Sequence, residues 1–249
     1  MKAISQILKV SVALLGLHSV SNAATITTIP SFDTGIRSGS VTGSGGTAIQ
    51  IGNLATSTTG IYGMMQFNLS SLIPKGSTID SVSLKLTTVQ ADGSTALMTL
   101  DVQLYQILRP FTADVSWTNY ATGQAWGTAG GTGFQDRGAL LSTAQISSKA
   151  ASKTVLTLTN STAFSTAVST AIEGNGILYL QLALADVGSD LNRRILEVFS
   201  MDAAGINTQY RPSLTVQYTL VPEPSTGVLM IGAGIVGGLF LRKRRSSSL

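Results

Sequence analysis

In three separate stretches of this chain, apolar and polar residues alternate one for one. Val82, Leu84 and Leu86 are interleaved with Ser81, Ser83, Lys85 and Thr87. Met98, Leu100, Val102 and Leu104 alternate with Thr99, Asp101 and Gln103, and the pattern returns in Leu214, Val216, Tyr218 and Leu220. Successive side chains of a strand point to opposite faces, so each stretch predicts a half-buried strand with one face on a core. Ile177–Leu184 is apolar on both faces, as a central strand would be, and further strands are expected at Ala48–Ile51, Ile61–Leu69, Lys153–Leu158 and Ile195–Met201. One segment has a different period. Ala163/Phe164, Ala167/Val168 and Ala171/Ile172 recur every four residues, which is a helical stripe. Asn160 or Ser161 can cap its start, and Gly174 sits where a left-handed terminal residue is wanted. Many short strands with one small helix predict an all-β fold, a single β-sandwich of jelly-roll type over residues 24–220. Gly35–Gly46 and Trp117–Gly133 are the longest expected loops, and loops on a rigid sheet scaffold are where binding residues gather.

The two ends of the chain obey other rules. Residues 1–23 open with Lys2 and Lys9, continue through the apolar stretch Val10–Leu17 and close on Ser21-Asn22-Ala23, a small-x-small sequence. This is the pattern of a secretory signal peptide, with cleavage expected between Ala23 and Ala24. At the other end, Pro222-Glu223-Pro224 precedes an uncharged apolar run, Thr226–Leu241, and then Arg242-Lys243-Arg244-Arg245. As a helix that run rises about 24 Å, slightly less than the roughly 30 Å hydrocarbon core of a bilayer, so it spans with local thinning or snorkelling. The four cations resist translocation and hold their end in the cytoplasm. Residues 221–245 resemble the PEP-CTERM sorting tail of exopolysaccharide-secreting bacteria. The resemblance implies export, an inner-membrane intermediate held by a transmembrane helix at 226–241, and an exosortase-type processing enzyme as partner.

With these ends set aside, the charge balance changes sign. The whole chain carries +4, yet Ala24–Val221 holds 10 Lys plus Arg against 11 Asp plus Glu. A segment with a net charge of −1 lacks the basic stripe that nucleic acid requires, so no nucleic-acid partner is expected. There is no Cys, and the single His, His18, lies within the first 23 residues. Ser-His-Asp and Cys-His catalysis and Cys/His zinc sites are therefore excluded from the middle of the chain. An enzyme would have to use two carboxylates, as glycosidases do, or Tyr with Arg or Lys, as in a lyase. Glu173, Glu197 and nine Asp are available for this and form no dense cluster in sequence.

A second resemblance covers most of the middle segment. The matching pieces are Ile49-Gln50-Ile51-Gly52, Met65-Gln66-Phe67-Asn68-Leu69, Ile73–Ile79 and Ser83-Leu84-Lys85-Leu86. Trp117 with Trp126, the small helix followed by Asn175-Gly176, and Arg211–Tyr218 complete the order. This order is similar to that of the DNRLRE-type domain, a secreted β-sandwich related to carbohydrate-binding modules. The Asp-Asn-Arg-Leu-Arg-Glu string itself is absent, and Asp190–Arg194 is a loose echo of it. The resemblance implies binding of polysaccharides, sometimes acidic ones, in a domain of the kind that often accompanies enzymes or cell-surface scaffolds.

The residues suggest where a ligand would sit. Trp117 and Trp126, with Tyr120 between them, can stack against the C–H face of a sugar ring; the alternative is that they brace a long loop. Arg193 and Arg194 can fork onto a uronic-acid carboxylate, though strand alternation lets only one face a given ligand, and surface pairing with Asp186, Asp190 or Glu197 competes. Asp186 and Asp190 supply oxygen ligands, and Glu197 falls at the twelfth place counted from Asp186, as in a calcium loop. Leu191, however, occupies the place where the sharp turn needs Gly. Ca²⁺ is thus the one weak cofactor candidate. The expectation is an exported, non-catalytic cell-surface or extracellular-matrix protein that binds polysaccharide. The alternatives are a purely structural matrix component and a polysaccharide-degrading enzyme.

Overall fold

The longest alternating segment becomes the element on which the fold turns. In the computed structural model, which describes residues 22–39, 46–53, 60–92, 97–185 and 194–221, strand β5 runs from Thr78 to Asp92. Its first part pairs with β13 (Ser213–Thr219), its last residues pair with β12 (Arg194–Phe199), and β10 (Val155–Leu158) also lies along it. The other strands are β1 (Ala23–Thr28), β2 (Phe32–Arg37), β3 (Ala48–Asn53), β4 (Gly60–Asn68), β6 (Thr99–Ile107), β9 (Arg137–Ser147) and β11 (Ile177–Leu184). A two-stranded ribbon of β7 (Asn119–Ala121) and β8 (Gln124–Ala125) stands apart from them. The main path runs β1-β13-β5-β12-β3-β4-β11-β6-β9, with β2 beside β4 and every pairing antiparallel. The sheet is curled, so β10 comes to pack against β9 and both arms face one core.

That core is filled by the inward half of each alternating segment. Val82, Leu84 and Leu86 from β5 and Leu214, Val216 and Tyr218 from β13 share one cluster with Leu100, Val102 and Leu104 from β6. Met65 and Phe67 from β4 and Leu178, Leu180 and Leu182 from β11 complete the opposite arm. Helix α1 (Thr162–Glu173) adds Phe164, Ala167, Val168 and Ile172 to the same cluster. Ser161 caps the helix, its Oγ accepting the Phe164 N–H at 3.0 Å. Asn160 instead accepts the Val82 N–H and the Ser165 hydroxyl, which ties the helix start to β5.

Several expectations need correction. Gly174 is not left-handed: its φ is −79°, and its N–H closes a last helical turn on Thr170. The reversal comes two residues later at Gly176, with φ of +78°, where an added Cβ would stand 2.4 Å from Ser70 Cβ. Gly35 and its neighbours to Arg37 belong to β2 rather than to a loop. The strand expected from Lys153 starts only at Val155, because Lys153 takes a φ of 69°. The strand expected to reach Met201 ends at Phe199, where Ser200 turns the chain and accepts the Asp202 N–H.

Ala23–Val221 forms one compact unit whose two ends are neighbours. Ala23 lies opposite Thr219 and Ala24 opposite Tyr218, so the first strand is held by the last. Among the described residues no helix is long and apolar enough to cross a membrane, and the expected helix at 226–241 lies outside them.

Candidate functional site

The outward half of the alternation builds a second, smaller structure. On β4, β11 and β6 the side chains opposite to the core include Tyr62, Met64 and Gln66, Tyr179 and Gln181, and Gln103, Tyr105 and Ile107. The register sets Gln181 between Met64 and Tyr105. Residues 108–136 fold across this outer face. Ile36, Met64, Ile107, Phe111, Val115 and Trp126 form a separate buried cluster there, with Phe32, Tyr62, Tyr120 and Tyr179 packed on it.

Each anchor of the covering segment has a physical cause. Trp126 is only 6% exposed, and its indole Nε1–H donates to the Ser116 carbonyl at 2.9 Å, so the one polar atom of the ring is satisfied as the rest is buried. Phe111 meets Tyr179 edge-on at 5.2 Å, and Gln66 donates to the Phe111 carbonyl. Gln181, fully buried, donates through Nε2 to the Gly130 carbonyl at 2.8 Å. Gly130 has a φ of +79°, and a Cβ there would lie 2.9 Å from the Trp117 ring, so only glycine lets the backbone pass beneath that indole. Asp136, also fully buried, closes the segment: its carboxylate accepts the N–H groups of Gly127 and Thr128 at 3.0 and 2.9 Å. Arg109 Nε stands 3.4 Å from the same carboxylate and compensates its charge.

The sequence-predicted aromatic residues therefore divide. Trp126 is a buried anchor, the bracing alternative of the two that the sequence left open. Tyr120 is half-buried, tilted against Trp126 at 5.6 Å and beneath the Arg109 guanidinium, and its hydroxyl donates to Gln124. Trp117 is half-buried at the border of the covering segment and stacks on Tyr62 at 5.7 Å with their planes 6° apart. Beside this stack, the Arg137 guanidinium lies 5.7 Å from the Tyr62 ring centroid and 4.5 Å from that of Tyr105. Tyr62, Tyr105, Gln181 and Arg137 were not singled out from sequence. Gln181 had a signal, as the one polar side chain inside the apolar run Ile177–Leu184.

The other expected site residues do not gather here. Arg194 is the first residue of β12, opposite Asn53, while Arg193, Asp186 and Asp190 lie outside the described residues. Glu197 accepts a hydrogen bond from Gln50 Nε2 at 2.6 Å across the β3–β12 pair. No group of three metal-ligating side chains occurs among the described residues. Ala23 and Ala24, the residues flanking the expected cleavage, are the first two residues of β1. Pro222, Glu223, Pro224 and the basic run Arg242–Arg245 lie outside the described residues.

One further carboxylate stands out. Asp33 on β2 is 5% exposed, and burial pushes its carboxyl up to about 7. The Met201 N–H, donating to Oδ2 at 2.7 Å, works against that rise, and the neighbouring charge of Asp202 adds to it. Oδ1 of Asp33 is buried without a partner.

The comparisons bear on the tail. Residues 220–245 match the family described as the PEP-CTERM protein-sorting motif. The chain thus carries a tail of the kind that exosortases recognise, which marks an exported protein processed at the membrane. The match starts one residue after β13 ends, so the strand that holds β1 runs straight into the sorting signal. No curated protein matches the chain.

Proposed function

We propose that the chain is a non-catalytic cell-surface or extracellular-matrix protein that binds polysaccharide through the outer face of its curled sheet. The observation that carries this reading is the Trp117–Tyr62 stack. It sets a half-buried indole at the rim of a covering segment that is itself firmly anchored, and the Arg137 guanidinium links its partner Tyr62 to Tyr105 on the same face. A rigid aromatic plane next to planar polar groups suits the apolar C–H face and hydroxyl rim of a sugar ring. The non-catalytic part of the proposal is supported by the buried carboxylates. Asp136 is fully used by two N–H groups and Arg109, and Asp33 is sealed from solvent. Removal of residues 1–23 as a signal peptide, the jelly-roll arrangement and kinship with DNRLRE-type domains belong to the same proposal. The way β5 serves both arms of the sheet supports the jelly-roll arrangement.

Affinity electrophoresis of the exported protein through gels containing polysaccharides tests the reading. Retardation that is lost in Trp117→Ala, with the melting transition retained, supports it. Free migration through every polymer favours a purely structural matrix role, the reading to which the bracing by Trp126 lends weight. Release of reducing ends or unsaturated products from the same polymers would make the protein an enzyme.

A further inference from the structure

We infer that the end of the folded unit from which the sorting tail departs is a lipid-docking surface, which lays Leu72, Leu108 and Phe134 against the bilayer before the tail is processed. The inference rests on the sorting-tail match and on entry of the apolar run Thr226–Leu241 into the membrane. Only Pro222-Glu223-Pro224-Ser225 separates Val221 from that run. Fully extended, the chain from Val221 to Thr226 reaches at most about 18 Å. The headgroup layer takes up roughly 5–7 Å of this span. β13 ends at Thr219, so whatever surrounds its end is held close to the lipid headgroups.

Hydrogen bonds define those surroundings. Ala23 and Thr78 lie opposite Thr219 on its two sides, and the Tyr218 hydroxyl donates to the Leu72 carbonyl at 3.4 Å. Leu72 belongs to the segment between β4 and β5. Lys75 of that segment donates to the Glu173 and Gly174 carbonyls at 2.9 and 3.1 Å, which brings the end of α1 to the same surface. A cleft lined by Leu108, Pro110, Ala171 and Asn175 continues it to the end of β6. There the Leu108 N–H donates to the Asp136 carbonyl at 2.7 Å, beside the turn that carries Phe134. Phe134 is 86% exposed, Leu108 51% and Leu72 36%. Apolar side chains of this size are stabilised when the boundary of the acyl chains covers them. Nearby charges balance, Lys75, Arg109 and Arg137 against Asp80, Asp136 and Glu173, so apolar insertion rather than attraction to anionic headgroups is the chemistry. Leu97, before β6, and Ile206, before β13, are as exposed but stand at the far ends of those strands, roughly 20 Å or more away.

The chain has no Cys, so a single introduced cysteine carries a unique label. Full chain bearing an environment-sensitive fluorophore on Leu72→Cys, Leu108→Cys, Phe134→Cys, Leu97→Cys or Ile206→Cys is reconstituted into phosphatidylcholine vesicles that contain headgroup spin-labelled lipid. Labels at Leu72, Leu108 and Phe134 should lose most of their emission, and those at Leu97 and Ile206 should keep theirs. Adding Leu108→Ser and Phe134→Ser should return most of the emission of the Leu72 label. Equal quenching at both ends, quenching that appears only with anionic lipid, or full emission at Leu108 and Phe134 in chain that floats with the vesicles would overturn the inference. So would a chain that does not float with them. Should a variant not fold, the unmodified chain decides: spin-labelled lipid in nanodiscs must broaden the amide signals of Leu72 and Leu108 and leave those of Leu97 and Ile206 sharp.

Discussion

Replacing Asp33 with Asn removes one titrating group from the interior while keeping the shape of the side chain. In the folded protein the Asp33 carboxyl is raised from an ordinary 3.8 to about 7, chiefly by burial. A group raised in this way holds its proton in the folded state over a range where the unfolded chain has already lost it. Its stabilising contribution is full below about pH 4, declines as pH climbs, and is gone above about pH 7. Each unit of difference is worth roughly 1.4 kcal/mol, so a rise from 3.8 to about 7 bounds the swing at about 4 kcal/mol. The structural cause is visible in the unpartnered Oδ1: once ionised, that oxygen faces no donor, and Asp202 stands near. An Asn amide can still accept the Met201 N–H and carries no charge at any pH. Urea denaturation of both proteins between about pH 4 and pH 8 provides the assay. Asp33→Asn should gain on the wild type steadily across that interval, by as much as about 4 kcal/mol in total. A stability difference that stays constant with pH would refute the reasoning, because it would mean that Asp33 titrates alike in both states.

Other outcomes follow from the covering segment and the chain ends. Trp126→Ala should cost about 3–5 kcal/mol in chemical denaturation and open residues 108–136 to limited proteolysis, since it removes the largest anchor of the outer cluster. Asp136→Asn leaves Arg109 without its carboxylate and weakens two backbone bonds, so a loss of about 2–3 kcal/mol is expected in the same assay. Gly130→Ala should keep the fold but displace Trp117, seen as a changed indole emission spectrum, because its Cβ would meet the Trp117 ring at 2.9 Å. The bond between Ala23 and Ala24 lies within a paired strand, so signal peptidase should cut the urea-unfolded precursor and spare the folded one. Rapid cleavage of the folded precursor would show that β1 detaches freely from β13.

Much of the sheet was legible because its strands alternate without interruption. Val82–Leu86, Leu100–Leu104 and Leu214–Tyr218 place their apolar halves in the core as period two requires. β9 was missed because two register shifts against β6 break its alternation, so Leu140 is exposed beside the buried Leu141. β1 and β2 were missed for a different reason: β1 lies at the end of the sheet with half of its residues exposed, and β2 is short and crossed by a glycine. The helix stripe was readable, but its exit was assigned to the wrong glycine, since spacing alone cannot tell Gly174 from Gly176. The candidate site was only half legible. Two tryptophans nine residues apart announced an aromatic loop, but which one anchors and which one is presented depends on Tyr62, more than fifty residues earlier. Arg137 carried no signal at all, because its place over the Tyr62 and Tyr105 rings is a property of the folded neighbourhood.

The two indole N–H groups give the most direct test of the proposed polysaccharide face. In a nitrogen-15 correlation spectrum of the labelled protein they form a pair of resolved signals, assigned with Trp117→Phe. Adding an oligosaccharide of the polymer that retards the protein should move the Trp117 signal in a saturable way. The Trp126 signal should stay still, because its Nε1–H is held on the Ser116 carbonyl within the buried cluster. A shift confined to Trp126, or no shift at either indole while the oligosaccharide binds, would contradict the account.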